Sequence, residues 1–65
     1  MVNLEFIKKR RVEKNISQQK MAEMLGFKNA STYLKYESGE YAFKAEMLPE
    51  LSRILKTDIK NFFTK

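Results

Sequence analysis

The side chains of this 65-residue chain that could do chemistry are amides, hydroxyls and ammonium groups, gathered between Ser17 and Lys44. Gln18 and Gln19 open one short helical stretch; Asn29, Ser31, Thr32 and Lys35 run along the start and middle of the next. These types suit the reading of base edges. Asn can bond adenine bidentately, Lys reaches guanine O6 and N7, and Ser or Thr serves in either sense. Other chemistries have little to work with. The chain has no histidine and no cysteine, no glycine-rich phosphate loop and no cluster of metal-ligand types. Its carboxylates are scattered along helices, as on ordinary solvated faces. No catalytic residue, no cofactor and no metal are expected.

Five short helices must position these groups. The first covers about 3–14, with Asn3 as its N-cap and with Leu4, Ile7, Arg11 and Val12 on a shared face. Asn15 and Ile16 break it. The second starts after Ser17, whose hydroxyl can accept a free backbone N–H of the first turn. Met21, Ala22 and Leu25 face inward, Gly26 ends the helix in left-handed backbone, and Phe27 plugs the core at the turn. The third runs from a cap at Asn29 to about Glu37, with Ala30, Tyr33, Tyr36 and Glu37 inward. A loop over 40–44 leads to a fourth helix over about 45–56, where Pro49 is tolerable only in the first turn or at a bend. Thr57 and Asp58 cap a fifth, with Ile59, Phe62 and Phe63 apolar. The chain thus reads as one all-α domain over 1–65, with two short helices and a tight turn at its centre.

Net charge is +5, and it is unevenly placed. Residues 1–36 carry eight Lys or Arg and three Glu, whereas residues 37–65 carry five of each sign. All the excess positive charge lies in the half that contains the central helix pair, which favours a polyanionic partner. No leader-like segment and no apolar run of about 18 residues is present.

Arg11, Ile16-Ser17-Gln18, Met21-Ala22, Leu25-Gly26, Tyr36-Glu37 with Gly39, Leu48-Pro49 with Leu51, Ile54-Leu55 and Phe62-Phe63 follow one another in an order and spacing that resemble a known family. It is the phage-repressor and Cro type of helix-turn-helix domain, and the match covers roughly residues 4–63. The resemblance implies a five-helix, lambda-repressor-like fold with the helix-turn-helix at helices 2 and 3. Helix 3 would lie in a major groove. Asn29, Ser31, Thr32 and Lys35 on its outward side, with Lys28 just before it, would read bases. Gln18 matches the family position that grips the DNA backbone and can buttress the recognition helix; Gln19 is a weaker backbone candidate. Ser38, Tyr41 and Lys44, in the loop after the recognition helix, are further backbone candidates. For Tyr33 two readings stand, a phosphate contact or a core residue. The resemblance pairs Arg11 with Glu37 as a structural ion pair.

The chain departs from the family pattern in four places. One extra residue lies between Gly26 and Glu37, near Lys28 and Asn29. Leu34 stands where a polar residue is usual, either exposed toward a thymine methyl or buried by the shift. Arg10 replaces a conventional leucine. The loop after Gly39 lacks basic residues until Lys44.

One short helix reads only a few base pairs, so useful specificity calls for two copies on a near-palindromic operator. Ile59, Phe62 and Phe63 are the candidates for a homodimer contact. The reading that follows is a repressor-like regulator of phage, prophage or mobile-element type, bound to double-stranded DNA in a prokaryotic cytoplasm, with no membrane partner. The competing reading is a protein-interaction module on the same fold, antitoxin-like, whose protein partner is unknown.

Overall fold

A computed structural model describes residues 2–63. The described chain is helical, in the order α1 (Leu4–Glu13), α2 (Gln18–Met24), α3 (Ala30–Glu37), a 3₁₀ turn (Ala45–Met47) leading into α4 (Leu48–Leu55), and a C-terminal 3₁₀ segment (Ile59–Phe63). No helix among the described residues is long and apolar enough to cross a membrane.

Short polar residues set the helix starts. The side chains of Asn3, Ser17 and Asn29 accept the backbone N–H of Phe6 (3.0 Å), Lys20 (3.0 Å) and Thr32 (3.1 Å) respectively. Each thereby satisfies one of the donors that a helix start leaves open. The α2 end is equally local. Gly26 takes φ +83°, Phe27 N–H donates to the Ala22 carbonyl (2.8 Å), and Gly26 N–H donates to that of Glu23 (3.2 Å). That pair of bonds is a Schellman motif, and it turns the chain sharply toward α3.

The expected fourth helix is divided. Its start, Ala45–Met47, is 3₁₀, and only Leu48–Leu55 is α-helical. Pro49 explains the break. In a continuous α-helix its ring would collide with the carbonyl of residue 45, but near the start of α4 it displaces no hydrogen bond. The expected fifth helix is a 3₁₀ segment instead. It has five residues, and Asn61 in its middle turns its side chain back to the Thr57 hydroxyl (2.9 Å), a local bond that favours turns over α-helix.

Ile7, Met21, Ala22, Tyr33, Phe43, Leu48, Leu51, Leu55 and Phe62 form the core, so every helix and the C-terminal segment contribute. Val12 does not share the inward face of α1; it is exposed, because one residue past Arg11 is about 100° around the helix. The buried stripe of α1 is Ile7 followed, one turn later, by the charged Arg11.

Arg10 fastens α1 to α4. Its Nε donates to the Leu55 carbonyl (2.8 Å) and its Nη2 to that of Lys56 (2.9 Å). Those carbonyls lie at the end of α4, where acceptors lack intrahelical partners and the dipole favours a cation.

Candidate nucleic-acid interface

The α2–turn–α3 unit presents one face to the core and one outward, and a polar node fixes the inner one. Arg11 Nε donates to Glu37 Oε2 (2.8 Å), Arg11 Nη2 to Oε1 (3.3 Å), and the Tyr33 hydroxyl to Oε2 (2.6 Å). Arg11 Nη1 also donates to the Ile16 carbonyl (2.8 Å), tying the α1–α2 connection into the same node. Both charges are buried. Burial alone would raise the Glu37 carboxyl. Hydrogen bonds from Arg11, Tyr33 and Gln18, with the Arg11 charge, outweigh it and hold the group below its ordinary range. The bond to Glu37 raises Arg11 against its own desolvation. Burial, then the bond to Glu37, pushes the Tyr33 hydroxyl well above its ordinary value.

This geometry corrects one expectation. Tyr33 is fully buried and its hydroxyl is held by Glu37, so it is a core residue and cannot touch a DNA backbone. Gln18 is half-buried at the start of α2, where its side chain adds a small contribution to holding the Glu37 carboxyl ionised.

At the start of α3, Asn29 Oδ1 accepts three donors: Thr32 N–H (3.1 Å), the Thr32 hydroxyl (3.1 Å) and the Ser31 hydroxyl (2.6 Å). A bidentate contact to adenine needs both Oδ1 and Nδ2. The knot therefore leaves Asn29 with Nδ2 to donate, and leaves Ser31 and Thr32 with outward lone pairs as acceptors. Lys28 is exposed in the turn just before. The chain between Gly26 and Asn29 is anchored by Phe27, whose ring stacks on Tyr36 at 5.2 Å and 6°. Tyr36 in turn meets Tyr41 (5.4 Å) and Phe43 (5.3 Å), so one aromatic cluster supports both the turn before α3 and the loop after it.

Ser31, Leu34 and Lys35 are the exposed residues of α3 before its buried end at Glu37. The Lys35 ammonium lies 5.4 Å over the Tyr41 ring, and Tyr41 N–H donates to the Lys35 carbonyl (3.0 Å). Ser38, Tyr41 and Lys44 are exposed along the loop that follows. Gln19 is exposed on α2 and bonds Glu23 (3.3 Å).

Among the three apolar residues expected to form a dimer contact, the structure separates Phe62 from the others. Phe62 is fully buried and meets Phe6 edge-on (6.1 Å), whereas Ile59 and Phe63 are exposed at 37% and 50%. Phe62 is a core residue, so a self-association surface here reduces to Ile59 and Phe63. Sequence reasoning also missed the Arg10 clamp. Of the basic run Lys8–Arg11, the two arginines are committed inside the fold and the two lysines remain outward.

In a comparison with protein families, residues 7–62 match the helix-turn-helix model. No curated protein and no solved structure matches the chain.

Proposed function

This chain belongs to the helix-turn-helix family of DNA-binding regulators, the Cro and phage-repressor type, and from that premise we propose that it is a sequence-specific repressor that binds an operator as a dimer. The observation that carries this reading is the division of α3. Its inner face is locked by the Arg11–Glu37–Tyr33 node, and its outer face presents Ser31, Leu34 and Lys35 on a rigid rod. A recognition element must hold its donors and acceptors still, because a loose one loses orientation entropy with every contact it makes.

In this reading α3 enters the major groove with its N-terminal turn deepest. Lys35 reaches guanine, Ser31 and Thr32 accept from exocyclic amines, and Lys28 and the Asn29 Nδ2 group donate to base edges from the N-terminal end. Gln18 and Gln19 at the start of α2, and Ser38, Tyr41 and Lys44 beyond α3, contact phosphates. These phosphate contacts set register and salt dependence. An eight-residue helix spans only about 12 Å, a few base pairs. Two copies, joined through Ile59 and Phe63, would read half-sites about 34 Å apart.

The test is selection from a random duplex pool at near-physiological salt, with sequencing of the retained fraction. Enrichment of a near-palindrome with half-sites one helical turn apart supports the dimeric operator reading. Retention without enrichment reduces the role to backbone binding. No retention favours the alternative, a partner-binding module in which the exposed Ile59 and Phe63 contact another protein.

A further inference from the structure

Among the described residues of α3, Leu34 is the one large apolar side chain left exposed. It is 45% accessible, outside the core and outside the layer packed on the core. It follows Ser31 by three residues and precedes Lys35, so it shares the outer surface of the helix with both.

We propose that Leu34 reads the C5-methyl group of a pyrimidine in the major groove; the inference rests on the DNA-binding reading above. A leucine side chain has no hydrogen bond to give, so it cannot grip a phosphate or a polar base edge. Among the four ordinary base pairs, the major groove offers one apolar feature, the thymine methyl, and 5-methylcytosine displays the same group. Orientation agrees. Side chains on an α-helix lean toward its N-terminus, so the Leu34 methyls overhang the turn that carries Ser31, the end that enters the groove. A second copy of the chain is a poorer occupant. Seating one on Leu34 would cover Ser31 and Lys35 as well, and the helix could then read nothing.

The experiment uses the duplex recovered by selection, with each thymine replaced singly by deoxyuridine and each cytosine singly by 5-methylcytosine. The wild-type chain is expected to bind about fourfold more weakly when the contacted methyl is removed from a half-site, the effect of losing about one buried methyl group. Leu34→Ala should be indifferent to the same change, and Leu34→Met, which keeps an apolar reach, should remain sensitive. Thymine is the source if uracil substitution shows the effect; modified cytosine is the source if methylation strengthens wild-type binding and leaves Leu34→Ala unmoved. If neither substitution at any position separates wild type from Leu34→Ala while sequence selection persists, the inference is overturned and the operator reading stands. If no sequence is selected at all, both fall. An unchanged thermal midpoint for both variants shows that the fold is not the cause.

Discussion

Two faces of the same eight-residue helix are built in opposite ways. On the inner face of α3, Glu37 accepts two bonds from Arg11 and one from Tyr33, and no buried side-chain nitrogen or oxygen among the described residues lacks a partner. On the outer face, Ser31, Leu34 and Lys35 meet solvent, and their own interactions are short-range: Ser31 with the Asn29 cap, Lys35 with the Tyr41 ring. The inner face fixes where the helix is; the outer one is open to a ligand. Substitutions on the inner side should therefore register as stability, and those on the outer side as affinity and sequence preference.

The largest effect is expected at the node. Glu37→Ala leaves the Arg11 guanidinium buried without its counter-ion, and breaking such a pair costs about 3–5 kcal/mol. In a domain of this size that is much of the total stability. Urea denaturation should show most of the loss. A change below about 1 kcal/mol would mean that Arg11 reaches solvent freely and that the inner face of α3 is not locked by the node.

On the other face, Lys35→Ala should leave the urea midpoint unmoved and remove discrimination at one or two base positions, by about 1–3 kcal/mol. Competition binding against single-base operator variants measures it. A uniform loss across all variants would place Lys35 on the backbone and overturn the docking of α3.

A pH titration probes the node without mutation. The Glu37 carboxyl is held below its ordinary value of 4.5, so its contribution is present above that value and is lost as pH falls through the depressed range. Tyr33 is raised above 10.0, so its contribution is present below that pH and is lost as pH climbs beyond it. Melting temperatures across pH should fall at both ends. In Glu37→Gln the acid limb should be shallower, and an equally steep limb would assign acid sensitivity to other carboxylates.

The smallest expected effect lies where the faces meet. Asn29→Ala removes the cap and frees the Ser31 and Thr32 hydroxyls, at about 1 kcal/mol of stability. Because the same knot orients both hydroxyls, affinity should drop along with stability, unlike at either pure face. Parallel calorimetric melting and DNA titration decide whether the two losses travel together.

Much of this was legible in the chain because it is local. Asn3, Ser17 and Asn29 announce their helices through their own side chains, and Gly26 announces its turn through backbone freedom. What was illegible depends on distance or on phase. Arg10 bonds main-chain carbonyls 45 and 46 residues away, and every residue carries such an acceptor, so no residue type could signal it. Phe62 and Phe63 are adjacent, and which one points inward depends on the rotation of a segment that is 3₁₀ instead of α. Tyr33 allowed two readings until its hydroxyl was seen against Glu37. Leu34 was open for a related reason: its exposed and buried readings differ only in the rotation of α3 about its axis, and that rotation leaves it 45% accessible.

The neighbouring arginines of α1 also act on the topology of the chain. Arg11 to Glu37 closes a loop of 26 residues, and Arg10 to the Leu55 carbonyl closes one of 45. Disulfides at such separations would restrict the unfolded chain as well as the folded one. Guanidinium ties vanish when the chain unfolds and leave its conformational freedom whole. A molecule without cysteine is thereby cross-linked only while native, and it can lose and regain its structure with no redox partner.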